Sequence, residues 1–149
     1  MRDIDQLFRH LSPEVAALNS DLLRPAATAL LPSGNKYGNH KVEVGGMRFD
    51  SKVEARRYMV LAAAEAAGTI SGLLRQVPFV LLPAFTDNEG KRVRAITYIA
   101  DFVYQQAGKT IIEDVKGKAT QLNPTYRLKW KLLAYKFRDD KSVQLREVI

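Results

Sequence analysis

The sequence predicts an α/β fold: a mixed sheet flanked by helices, preceded by a helical arm. Three observations carry this. The chain has 149 residues with 46% hydrophobic and 26% charged, enough for one ordinary core. Its apolar periodicity switches between helical spacing and strand-like runs, in the order helix, three strands, helix, strand. Breaker clusters separate these runs, and with no cysteine neither disulfides nor thiolate metal sites enter the account.

Residues 1–35 form the arm and its linker. Ile4, Leu7, Phe8 and Leu11 recur at helical spacing, and Ser12-Pro13-Glu14 reads as an N-cap with proline at the first helical position, opening a second short helix to Leu23. Pro32-Ser33-Gly34-Asn35 closes the segment. The arm is too small to fold alone. Residues 36–149 then make the main domain. Gly45-Gly46 between Lys41–Val44 and Met47–Phe49 is a two-residue hairpin signal. Asp50-Ser51 opens a helix to Ala67, and Gly68 stops it. Leu73–Leu82 reads as a strand bent or edged at Pro78. The turn Asp87-Asn88-Glu89-Gly90 leads to a long strand from Val93 to Tyr104, and Ala107-Gly108 turns it into Thr110–Lys116. Asn123-Pro124 caps a helix reaching Phe137, and Ser142–Val148 is the last strand.

Twenty-three Lys and Arg against sixteen Asp and Glu give a formal charge of +7. Such a field favours a polyanion, nucleic acid being the commonest. Seven of the cations lie between Lys116 and Arg138, a stretch without one acid. No apolar run approaches the roughly 18 residues of a membrane span, and Met1-Arg2-Asp3-Ile4-Asp5 lacks the order of a secretory leader. The expected compartment is the cytoplasm.

Tyr98–Lys116 is the informative segment. With Ala107-Gly108 as a two-residue turn, Asp101 falls directly opposite Asp114; a three-residue loop would offset them by one. Opposed residues have Cβ atoms roughly 4.5–5.5 Å apart, and like charges there are destabilising. A divalent cation, Mg²⁺ or Mn²⁺, is the simplest reason for two acids in an apolar hairpin. Alternation puts Lys116 on the Asp114 face and Glu113 on the other. There an ammonium can orient or deprotonate a water, or neutralise developing charge on a phosphate. Glu54, in the first turn of the Ser51 helix, adds a carboxylate, although Ser51-Lys52-Val53-Glu54 taken alone favours a capping box. Arg127, Lys131 and Arg138 share one side of the last helix and suit a phosphate backbone. Lys118 follows the Thr110–Lys116 strand through Gly117. That helix carries two apolar stripes. Tyr126, Trp130, Leu133 and Phe137 form one; Leu128, Leu132 and Tyr135 form the other, which needs the arm or a second subunit of a homodimer as cover. Trp130 can stack on bases, but its helical spacing favours core packing.

Asp101, then Asp114-Val115-Lys116, with Glu54 on an upstream helix, resembles the PD-(D/E)XK nuclease superfamily. The element order resembles that superfamily's restriction-endonuclease-like core. Lys36-Tyr37-Gly38, Phe49-Asp50-Ser51-Lys52 with Glu54-Ala55, Tyr98-Ile99-Ala100-Asp101-Phe102 and Glu113-Asp114-Val115-Lys116-Gly117 look like a phage- and prophage-borne branch of it, over Lys36 to Val148. The resemblance implies a bacterial host cell and a metal-dependent DNA endonuclease, with branched DNA as one plausible substrate. It also implies Asp101, Asp114, the Val115 carbonyl and Glu54 as metal ligands, and Lys116 as the catalytic lysine. Gln76 resembles a glutamine often found beside such sites. Ala100 stands where the name-giving proline would be, and Asp114 replaces the more frequent Glu. The alternative is a catalytically silent nucleic-acid-binding module that keeps the fold.

Overall fold

The structure is a computed structural model and describes residues 41–117 and 121–149. The arm, the Lys36-Tyr37-Gly38 motif, both histidines and Lys118 lie outside the described residues. Within it the chain forms two compact units that meet in sequence between Thr69 and Ile70.

The first unit holds a hairpin and a helix. Strands β1 (Val42–Val44) and β2 (Met47–Phe49) pair antiparallel. Their turn places Gly45 and Gly46 at φ 60° and 80°, the left-handed pair that a two-residue hairpin turn requires and glycine adopts without strain. Helix α1 (Lys52–Ala66) starts where the Ser51 side chain accepts a hydrogen bond from the Glu54 amide at 3.1 Å. It ends at Gly68, φ 75°, whose N–H reaches the Glu65 carbonyl. The Phe49 and Tyr58 rings meet at 5.1 Å, packing hairpin on helix through buried Phe49, Ala55 and Leu61.

The second unit is a mixed four-stranded sheet with one helix. Strands β3 (Ser71–Leu82), β6 (Ile96–Gln106), β7 (Lys109–Val115) and β8 (Val143–Val148) lie in that order, β7 and β8 parallel and the others antiparallel. A parallel neighbour needs a crossover, and α2 (Pro124–Lys136) supplies it. Asn123 caps α2, its side chain accepting from the Thr125 and Tyr126 amides, with Pro124 at the first turn. The core is apolar and continuous through Val77, Phe79, Tyr98, Phe102, Val103, Ile111, Ile112 and Leu133.

The expected strand Val93–Tyr104 is two strands. Short β5 (Arg92–Val93) pairs with β4 (Phe85–Thr86) in its own hairpin, and β6 starts afresh at Ile96. Asp87 organises the intervening turn, its carboxylate accepting from the Glu89 and Lys91 amides. The break has a cause across the sheet. β3 ends at Leu82, before Pro83, which has no N–H to extend the ladder. β3 is the sheet edge, where Pro78 is tolerated. Among the described residues no helix is long and apolar enough to cross a membrane.

Candidate active site

The β6–β7 turn puts Ala107 at φ 49° and Gly108 at φ 74°, again the left-handed pair. That geometry fixes the register, with Phe102 opposite Glu113 and Gln106 opposite Lys109. Continued by one residue, it aligns Asp101 with Asp114, as the two-residue turn requires.

The backbone ladder gives way at Asp101 to its side chain. Asp101 Oδ2 accepts from the Val115 amide at 2.8 Å, and Oδ1 accepts from Gln76 Nε2 at 3.3 Å. Gln76 itself has φ 51°, a left-handed backbone that costs a non-glycine residue about 1–2 kcal/mol. It lies between the pairs Arg75–Phe102 and Val77–Ala100, so the distortion sits directly beside Asp101. Such strain concentrates where a side chain has to be aimed.

Lys116 joins the two acids. Its Nζ stands 2.9 Å from Asp114 Oδ2 and 3.7 Å from Asp101 Oδ2. Asp114 has no exposed surface, and neither of its carboxylate oxygens has a directed hydrogen bond. The contact with Lys116 is therefore an ion pair. Burial by itself would lower the Lys116 pKa, but the charges of Asp101 and Asp114 outweigh it and hold the ammonium above its ordinary range. Lys116 is a cation in this state. Beside the two acids its ammonium is placed to neutralise charge or to orient a water.

Helix α2 builds an aromatic wall beside this cluster. Lys116 Nζ lies 5.3 Å from the Tyr126 ring centroid, a cation–π distance. Tyr126 and Trp130 stack at 6.1 Å, and Tyr98 lies 5.8 Å from Trp130. Burial first, then the Asp114 charge, raise the Tyr98 pKa far beyond its normal range, so that hydroxyl stays neutral beside the carboxylate. Sequence reasoning missed Tyr98 and Tyr126 as neighbours of the acids. The signal was present in the Tyr98–Phe102 motif and in the helical stripe, but both read equally well as core.

Glu113 points to the opposite face, as alternation requires. There its carboxylate accepts from the Tyr104 hydroxyl at 2.7 Å, which in turn accepts from Arg146 of β8 at 2.8 Å. Glu54 belongs to the first unit, where it is buried and its amide serves the Ser51 cap. Arg127 and Lys131 are exposed on α2.

The donor set suits a hard divalent cation. Buried Asp114 oxygens met by a single ammonium, with Asp101 fixed alongside, offer carboxylate oxygen to a metal that favours it. Among the described residues no three acids or histidines cluster as a metal cage. Mg²⁺ commonly needs only one or two carboxylates, with water and phosphate oxygens completing its shell.

No curated protein and no solved structure matches the chain. One family model does, described as "Protein of unknown function (DUF1064)", and it spans residues 34–147, from before the first hairpin into the last strand. On that coverage the chain belongs to the DUF1064 family.

Proposed function

We propose that the chain is a metal-dependent DNA endonuclease of the PD-(D/E)XK type, hydrolysing phosphodiester bonds in phage DNA metabolism, with branched DNA as a candidate substrate. The observation that carries this reading is Lys116 set between two carboxylates, 2.9 Å from Asp114 and 3.7 Å from Asp101. A hairpin stabilised only by packing gains nothing from opposed acids.

Asp101, Asp114 and the Val115 carbonyl are the groups that would hold Mg²⁺ or Mn²⁺. Once bound, such an ion supplies Lewis-acid polarisation of the scissile phosphate and activation of water. The chain's own residues do the remainder. Gln76 and the Val115 amide fix the Asp101 carboxylate in one orientation. Lys116 brings positive charge to where phosphate charge develops. The wall of Tyr98, Tyr126 and Trp130 lowers the local dielectric on one side and strengthens those charge interactions.

A second reading, a nucleic-acid-binding module without catalysis, draws on the same ion pairs, since Lys116 already neutralises part of the acidic cluster. One assay separates the two. Plasmid, linear, single-stranded and four-way-junction DNA are incubated with Mg²⁺, Mn²⁺ or EDTA. The endonuclease cuts at least one of them with metal and none with EDTA. Retention of DNA without cleavage under every condition supports the silent module.

A further inference from the structure

An open groove of about 780 Å³ runs along α2, lined by Tyr126, Arg127, Leu128, Trp130, Lys131 and Glu147 among others. Three features give it a chemical character. Tyr126 and Trp130 are near-parallel, 28° apart, and both are only half-buried, so they form a platform rather than a sealed core. Arg127 and Lys131 stand exposed along the same stretch of helix. The one acid in the lining, Glu147, already accepts from the Tyr126 hydroxyl at 2.5 Å. The groove therefore joins an aromatic pair to two cations, with its one acid already engaged by Tyr126.

Its position adds direction. The Tyr126 ring is also the ring beneath the Lys116 ammonium, so groove and carboxylate cluster share a wall. A backbone with a phosphate at Lys116 and its next nucleotides in the groove would have Tyr126 beside it and Arg127 and Lys131 in the same lining. Base-paired nucleotides cannot use the platform, because their faces are covered by neighbours in the stack. Unpaired ones can, and stacking on an aromatic ring is tolerant of sequence.

We infer that this groove holds a single-stranded polynucleotide segment flanking the phosphate at the carboxylate cluster, with bases on the Tyr126–Trp130 platform and phosphates on Arg127 and Lys131. The inference rests on the reading that the cluster faces a phosphodiester backbone, and it adds that the bound region is unpaired on one side. Its test needs no cleavage.

Trp130 is the chain's one tryptophan, so intrinsic fluorescence reports the platform directly. The full chain is titrated in EDTA with short oligo(dT), oligo(U) and a blunt duplex of equal length, and binding is followed in parallel by anisotropy of a labelled strand. The expected result is quenching of Trp130 by one or both single strands, with affinity about tenfold above that for the duplex. Leu128 is exposed, so Leu128→Glu leaves folding intact and places a negative charge in the groove. It should lower single-strand affinity about tenfold. Single strands that bind without quenching, or affinity unchanged in Leu128→Glu, would overturn the inference. Quenching that persists in a protein with no cleavage of any DNA would leave the groove standing and remove the nuclease reading. Cleavage of duplex without quenching would do the reverse.

Discussion

Asp101 is the most constrained polar side chain of the cluster, with one oxygen on the Val115 amide, the other on Gln76, and an ammonium within 3.7 Å. Asn at this position keeps an acceptor for the Val115 amide but loses the charge. Asp101→Asn and Asp114→Asn should therefore each reduce metal-dependent cleavage by about 100-fold or more, while DNA binding stays equal or tightens because phosphate is repelled less. Gel-based cleavage beside a binding titration checks both halves, and normal cleavage by either variant removes the site assignment. The raised Lys116 pKa has its own consequence. A pKa higher in the folded than the unfolded chain gives stability that is full below the unfolded value and is lost as pH rises through the folded one. Relative to Lys116→Met, the metal-free protein should keep a constant stability difference between about pH 6 and pH 9. That difference should shrink only above about pH 10.4, as followed by urea unfolding across pH.

At the scale of elements, the β6–β7 hairpin sets the site. Ala107 holds a left-handed φ of 49°, which glycine adopts freely. Ala107→Gly should raise stability by about 0.5–1 kcal/mol, the relieved strain being partly offset by greater freedom of the unfolded chain. A thermal melt reads this, and a fall in stability would mean the turn is not the left-handed pair. Helix α2 gives a sharper contrast. Leu133 is fully buried and Leu128 is 57% exposed. Leu133→Ala should cost about 3 kcal/mol and Leu128→Ala under about 0.5 kcal/mol, both from urea titrations. The turn and the caps were legible because their signals are local: glycine after a short residue, or Asn before Pro. The left-handed Gln76 was not. Nothing in its own neighbourhood asks for positive φ, and its reason lies across the sheet at Asp101. The split of the expected long strand was hidden in the same way, since Pro83 acts on a strand it does not belong to.

For the molecule as a whole, the charge of +7 and the cations of α2 predict binding that falls steeply with salt. Neutralising Arg127 and Lys131 together should reduce the slope of log K against log salt on single-stranded DNA by about 1.4, at roughly 0.7 per phosphate contact. It should weaken binding to all sequences alike, since phosphate contacts carry no sequence information. An unchanged slope would move the DNA path elsewhere. The order of elements around the sheet was legible from periodicity, and the sheet is mixed as expected. Less legible was which stripe of α2 meets it. The Tyr126–Trp130–Leu133–Phe137 stripe does, Phe137 lying edge-on to Phe79 of β3 at 5.7 Å, while Leu128 and Tyr135 stay exposed. A stripe records that a side is apolar, but not how wide a surface will cover it. Hence Trp130 reads as core in the sequence and lines a groove in the fold.

Glu113 and Asp114 are adjacent, both buried, and turned to opposite faces of one strand. Each has a cation that the other cannot use: Arg146 at the edge of the Tyr104 network, Lys116 on the side of Asp101. Sliding β7 by one residue would exchange the faces of every side chain, parting Asp114 and Lys116 from Asp101 and Glu113 from Tyr104. Leaving a buried charge uncompensated costs several kcal/mol, so the native register is the favoured one. Misaligned sheets are thereby disfavoured, and the strand that carries both acids is checked for alignment by its own charges.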